Sequence, residues 1–180
     1  YVDPAAFITR LSEKMDPDGV YVADVGQNQI WSCSYHIVKE GRFLTSGGMG
    51  TMGYSIPAAM GAKLADKRRQ VIAVCGDGSF QMSMMELATM RQYDIPVKII
   101  VLKNGYLGMV REYQHYTYKD HYSVVDLSGS PMLDKIAAAY DMRYQLLENM
   151  DRVEEVLDTF LGDDRAVLLE CLIDPMDLVK

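Results

Sequence analysis

The chain has 180 residues, a formal net charge of −7, 49% hydrophobic residues and 24% charged ones. Those proportions exclude a wholly disordered or collagen-like chain, and the length suits one compact domain over residues 1–180 that folds without a disulfide or metal staple. The acidic balance argues against nucleic acid as a partner, since a phosphate backbone is gripped by clustered Lys and Arg, but leaves open a small phosphate ligand held by backbone amides and a metal.

Asp3 before Pro4 predicts an N-cap and a first helical position, and Ile8, Leu11 and Met15 then share one face until Asp16-Pro17-Asp18-Gly19 ends the helix. Val20–Ala23 reads as a short strand running into Asp24-Val25-Gly26-Gln27. Arg42–Thr45 is a weaker strand, followed by a glycine cluster at 46–53. An Ala-rich helix over 56–65 precedes residues 71–75, a continuous apolar run of the kind buried on both faces of a sheet. Met84, Leu87 and Ala88 mark a helix beginning near Met82, and residues 97–102 a second buried strand. The polar, Tyr-rich stretch 105–131 predicts a short helix and a long loop, and long loops in compact domains are often functional. Leu133, Ile136, Ala137 and Tyr140 fall at helical spacing, as do Val153, Val156, Leu157 and Phe160, before a third apolar strand at 166–173. This alternation predicts an α/β fold, a parallel sheet with helices on both faces.

Cys33, Cys75 and Cys171 are odd in number and widely spaced. They fit neither a disulfide framework nor a C-x-x-C metal site, so a reducing cytoplasm is the expected compartment. No apolar run approaches the ~18 residues of a membrane span, so no membrane partner is expected. The start, Tyr1-Val2-Asp3-Pro4, has no initiator Met and no signal peptide, and the chain reads as a piece of something longer.

In open α/β sheets, ligands bind beyond the C-terminal ends of the strands. Three such ends carry small and polar residues: Asp24-Val25-Gly26-Gln27-Asn28, Gly76-Asp77-Gly78-Ser79 and Lys103-Asn104-Gly105-Tyr106; the glycine cluster supplies a fourth loop. In the second of these, glycines let backbone N–H groups approach an anion at a helix start. Asp77 would repel a bare phosphate, and makes sense there if a divalent cation lies between them, because Mg²⁺ takes carboxylate and phosphate oxygens together. A plain strand-to-helix turn with Asp77 as cap is the alternative. Asn104 follows Asp77 by 27 residues, past one helix and one strand. A βαβ unit brings both to the same sheet edge, where the Asn104 amide oxygen can share the cation.

Gly76-Asp77-Gly78 with Asn104 at that distance resembles the diphosphate motif of thiamine-diphosphate-dependent enzymes. More narrowly, the chain resembles the C-terminal cofactor-binding domain of the acetolactate synthase (acetohydroxyacid synthase) catalytic subunit. Asp24-Val25-Gly26-Gln27, the run 44–54 with Pro57-Ala58-Ala59, Glu86-Leu87-Ala88-Thr89, Pro96-Val97-Lys98-Ile99 and Gly108-Met109-Val110 carry that likeness over residues 1–175. It implies the thiamine-diphosphate-binding fold of the pyrophosphate type. Asp77, Asn104 and the backbone carbonyl of Tyr106 would hold Mg²⁺. Gly26, Gln27, Asn28, Gly76, Gly78 and Ser79 would meet the diphosphate, and Gly50 and Met52 would flank the aminopyrimidine with Met52 beneath the bent cofactor. Tyr106 would also count among the cofactor-binding residues, and Gly108, Met109 and Val110 would close over the cofactor and shape the substrate side. Three residues depart from the family pattern: Lys103 in place of Asn, Asn28 in place of His, and Tyr113 in place of Trp.

The resemblance further implies that pyruvate is decarboxylated and its two-carbon unit joined to a second 2-oxo acid, in branched-chain amino-acid biosynthesis. The activating Glu would belong to a pyrimidine-binding domain absent here, and FAD to an absent middle domain, so this chain alone is expected to be inactive. A homodimer or tetramer, with a regulatory small subunit, is the implied assembly. Another thiamine-diphosphate-dependent decarboxylase or lyase is the alternative within that class. A dinucleotide-binding Rossmann module is a further reading, because Gly48-Met49-Gly50-Thr51-Met52-Gly53 matches G-x-G-x-x-G before a helix. A non-catalytic interaction module is the third. His115 and His121 read as solvated loop residues, and Arg111 as either a substrate-carboxylate partner or a surface ion pair.

Overall fold

A computed structural model describes residues 1–179. Asp3 caps the first helix, α1 (Pro4–Lys14), its carboxylate accepting from Ala6 N at 2.9 Å, and Phe7, Ile8 and Leu11 form the buried face. The strands are β1 (Val20–Ala23), β2 (Arg42–Thr45), β3 (Val71–Gly76), β4 (Lys98–Lys103), β5 (Arg143–Leu147) and β6 (Val167–Leu172). Between them run α2 (Gln27–Tyr35), α3 (Ser55–Ala65), α4 (Asp77–Ser83), α5 (Glu86–Tyr93), α6 (Gly108–Tyr118), α7 (Leu133–Ala139) and α8 (Val153–Gly162). All strand pairings are parallel, in the order β2-β1-β3-β4-β6-β5.

Alternation along each strand divides the interior into two cores. Tyr21, Ala23, Ile72, Val74, Ile100 and Leu102 face α1, α2 and α8. Their neighbours Val20, Val22, Val71, Ala73, Ile99 and Val101 face α3, α4, α5 and α7. The central strands are covered on both sides, which is why their residues are mostly apolar, with Lys98 and Lys103 at the ends of β4 and Glu170 in β6 as the charged exceptions. Each fully buried Leu, Ile or Phe contributes about 1.5–3 kcal/mol relative to exposure. No helix among the described residues is long and apolar enough to cross a membrane.

Three local readings change. The helix after β3 begins at Asp77 rather than near Met82, and a break at Met84-Met85 separates α4 from α5. Asp77-Gly78-Ser79 is therefore a helical first turn and not a free loop, with Gly76 ending β3. Gln27 and Asn28 likewise open a helix, α2, for which no apolar stripe exists because its buried face includes Gln27, Asn28 and Ser32. Strand β5 was also invisible to the pattern: it is the half-exposed outer strand, and Arg143-Tyr144-Gln145 lacks the apolar signature of the central strands.

His36 ties α2 to this frame. Its ring stacks on Tyr21 at 4.1 Å and Phe43 at 5.8 Å, and its Nδ1 lies 2.6 Å from Ser12 Oγ. Burial, with the nearby Lys39 charge, pushes the imidazole down to about 4. The folded state thus resists a proton that the unfolded chain accepts near pH 6.5, so this contribution is complete above pH 6.5 and is lost as pH falls toward 4. Urea midpoints measured from pH 7 to pH 4.5 should fall more steeply for the wild type than for His36→Gln; equal slopes would contradict the assignment.

Candidate functional site

A cavity of about 260 Å³ lies beyond the C-terminal ends of β1, β3 and β4. The chain leaves β1 toward β2 on one side and resumes at β3 on the other, so the cavity sits where the strand order reverses. The first turn of α2 contributes Gly26, Gln27 and Asn28 to its lining, the glycine loop Gly50 and Met52, and the β3–α4 junction Gly76, Asp77, Gly78 and Ser79. Asn104, Tyr106, Gly108 and Met109 complete it from the end of β4 and the start of α6. All the expected site residues thus reach one cavity. Trp31, Leu107 and Ile173 also line it and were not anticipated. Trp31 stands four residues after Gln27, one helical turn away, so a prediction of α2 would have found it.

Asp77 is 4% exposed and, among the described residues, is the one carboxylate lining the cavity. Its Oδ1 accepts from Gly78 N at 3.1 Å and its Oδ2 from Gly105 N at 2.8 Å. Burial pushes this carboxyl up to about 6, against the pull of those backbone donors and of the Lys103 charge. Lys103 does not neutralise it: its ammonium sits 2.8 Å from Glu170 Oε1 on β6, and the Tyr144 hydroxyl donates to Glu170 Oε2 at 2.7 Å. The unexpected cation beside the motif is therefore drawn to the neighbouring strand. Asn104 Oδ1 accepts from Tyr106 N at 2.9 Å, while its Nδ2 donates to Gln27 Oε1 at 3.2 Å.

The donor set suits a divalent cation. It joins a buried carboxylate, satisfied only by neutral N–H groups, to an amide oxygen on the adjacent strand end. The space beside it exists because side chains are missing: a Cβ at Gly78 would come within 2.5 Å of Leu107 Cδ2 and 3.3 Å of Met52 Cε. The other polar side chains are engaged with protein. Asn28 Nδ2 donates to Asp24 O at 2.8 Å and Val74 O at 3.3 Å, and Ser79 Oγ accepts from Gly76 N at 3.0 Å. Gln27 Nε2 donates to Glu112 Oε2 and to Asp177 O, each at 3.0 Å.

Arg111, His115 and His121 all lie outside the lining of this cavity. The Arg111 guanidinium lies 4.2 Å over the Tyr106 ring, donates to Pro175 O and approaches Met176 Sδ at 3.1 Å. It fastens the segment after β6 across α6. His115 is not a loop residue but lies on α6, half-buried, and pairs with Asp120 at 2.6 Å; His121 is exposed in the loop, with its Nδ1 2.7 Å from Tyr118 O. The dinucleotide reading fails at α3. The N-terminus after the glycine cluster, where a pyrophosphate would sit, is filled by the Asp24 carboxylate, which accepts from Ser55 N at 2.7 Å.

The fold and cavity define an open parallel α/β protein with a small, glycine-walled site at the strand switch point. The chain belongs to the thiamine pyrophosphate enzyme family, matching the model of its C-terminal TPP binding domain over residues 24–171. Among curated relatives it is 38% identical over 174 residues to the acetolactate synthase isozyme 2 large subunit of Escherichia coli K12, covering 96% of this chain and 32% of that one. It is 48% identical over 127 residues to acetolactate synthase of Arthrospira platensis, covering 70% and 22%. Against the acetolactate synthase large subunit of Lactococcus lactis the identity is 38% over 179 residues, covering 99% and 31%. The chain spans at most about a third of the length of these relatives.

Proposed function

We propose that this chain is the diphosphate- and Mg²⁺-holding portion of an acetolactate synthase, which decarboxylates pyruvate and joins the two-carbon unit to a second 2-oxo acid. The observation that carries the reading is the buried Asp77 with the half-buried Asn104 at adjacent strand ends, lining one glycine-walled cavity in a chain of this family. When bound, thiamine diphosphate supplies the electron sink that lets a 2-oxo acid lose CO₂; the protein's part is placement and electrostatics. Asp77 would give the cation its anionic ligand, with Asn104 Oδ1 and the Tyr106 carbonyl as neutral oxygens. Gly78 and Gly108 keep the backbone close enough for the diphosphate to approach. Gly50 and Met52 would bound the aminopyrimidine, and the Met52 thioether suits the face of a ring system because it is apolar and adaptable. Met109 and Val110 would shape the substrate side and exclude water there.

The remaining parts of the active site belong to the rest of a larger protein: an activating Glu, the FAD-binding middle domain, and subunit partners, including a regulatory small subunit. The relatives' designation as large subunits supports a multi-subunit assembly. A cytoplasmic location fits the two buried thiols, Cys75 and Cys171, and the unpaired Cys33.

Trp31, the chain's single tryptophan, is a built-in reporter in the cavity wall. Titrating thiamine diphosphate should quench its emission saturably with Mg²⁺ present and far more weakly with EDTA. A chimera carrying this chain in place of the matching third of the Escherichia coli relative should form acetolactate from pyruvate. A quench indifferent to Mg²⁺, or a well-folded chimera that binds cofactor yet forms no acetolactate, would overturn the respective half of the reading.

A further inference from the structure

Asp24 is completely buried at the end of β1, yet it is not among the residues lining the cavity. Its carboxylate is held by main-chain donors from the next residue and from one distant segment. Oδ1 accepts from Val25 N at 2.8 Å and from Gly53 N at 3.0 Å; Oδ2 accepts from Ser55 N at 2.7 Å. A buried carboxylate with no cationic partner is costly, and is retained only where several N–H groups converge on it. Here they converge because α3 has no cap of its own. Tyr54 is already helical at the N-cap position and its side chain caps nothing, so β1 supplies the acceptor from across the sheet edge.

The consequence falls on the glycine loop. Gly47, Gly48 and Gly50 have open space where a Cβ would stand, and Met49 is 93% exposed, so the loop's tip rests on nothing. Its start is tied by Gln29 Nε2 to Thr45 Oγ1 at 2.8 Å, and within it Thr51 N donates to Ser46 Oγ at 3.2 Å. At its far end the Asp24–Gly53 bond follows immediately after Met52. That bond fixes the direction in which Met52 enters the cavity, with its methyl over Gly78.

We infer that Asp24 is a positioning residue, clamping the glycine loop to the end of β1 so that Gly50 and Met52 form the wall of the cofactor cavity. The part of this concerning cofactor affinity rests on the thiamine-diphosphate reading; the part concerning the loop does not. Asp24→Asn is nearly isosteric but sets an amide NH₂ against the N–H of Gly53 or Ser55, so one arm of the clamp is lost.

The test uses methyl-labelled methionine and NMR on the purified chain. The wild type should show a nuclear Overhauser contact between the Met52 methyl and the Gly78 α-protons. In Asp24→Asn that contact should weaken or vanish and at least one of the Gly53 and Ser55 amides should lose exchange protection, while β1, β3 and β4 amides keep theirs. At a temperature well below melting, affinity for thiamine diphosphate with Mg²⁺, read from Trp31 emission, should fall at least ~10-fold, one hydrogen bond's worth of loop order. A residue that merely capped α3 would lower the melting temperature and leave both the methyl contact and the affinity alone, which overturns the inference. Loss of the contact with unchanged affinity overturns it as well. If the wild type binds no cofactor, the functional reading fails and the methyl contact alone decides whether Asp24 holds the loop. Should Asp24→Asn not fold, Asp24→Ser, which keeps a single short acceptor, takes its place with the same expectations.

Discussion

Asp77→Ala is expected to abolish Mg²⁺-dependent binding of thiamine diphosphate while leaving the sheet intact. Deleting the one carboxylate in the cavity removes the anionic ligand itself, so the loss should exceed the ~10–100-fold typical when only a ligand's hydrogen-bonding partner is changed. The effect on stability should be small, because two terms oppose. Removing a buried charge relieves its desolvation, while Gly78 N and Gly105 N lose their acceptor at about 1–3 kcal/mol each if left unpaired. Asp77→Asn keeps one of those bonds and should melt closer to the wild type. Calorimetric titration with and without Mg²⁺, beside a thermal melt of each variant, separates the two readouts. Cofactor binding by Asp77→Ala within a few-fold of the wild type would remove Asp77 from the site.

Gly108→Ala should be nearly as damaging by a different route. Its Cβ would stand 1.9 Å from Gln27 Oε1 and 2.9 Å from Asn104 Nδ2, so both side chains must move and their mutual hydrogen bond at 3.2 Å must break. Gln27 also holds Glu112 and the Asp177 carbonyl, so its displacement disturbs the wall of the cavity and the segment folded over α6 together. The helix itself gains about 1 kcal/mol from replacing glycine, and melting should therefore stay within a few degrees of the wild type while cofactor affinity drops at least ~10-fold. Gly61→Ala, in α3 with open space around it, is the control. Equal binding by Gly108→Ala and Gly61→Ala would show that the Gln27–Asn104 pair does not matter to the ligand.

Much of this site was legible because its chemistry sits in short runs at strand ends. Gly76-Asp77-Gly78 and Asn104 follow apolar segments that only a doubly covered strand explains, and that pattern places both at one edge. The G-x-G-x-x-G run shows the limit of such reading. Its sequence is compatible with a dinucleotide loop, and only the Asp24 carboxylate at Ser55 N, 31 positions away in the chain, shows that the α3 N-terminus is taken. Lys103 is similar. As a sequence it places a positive charge beside the cation site; in space Glu170 and Tyr144 take that charge to β6.

What the sequence determined by itself was periodic or contiguous: the apolar central strands, the capped start of α1, the amphipathic stripe of α8, and the strand-end motifs. Solvation alone reads those patterns, since a residue's burial follows from its place in a repeat of two or of about 3.6. The tertiary structure decided everything that depends on which element lies beside which. The order β2-β1-β3 opens the cavity between β1 and β3, the polar inner face of α2 delivers Gln27 and Trp31 to it, and the half-exposed β5 completes the sheet. A buried carboxylate accepts from whatever donors the strand order brings near, a buried amide pairs in the same way, and no local period records that choice.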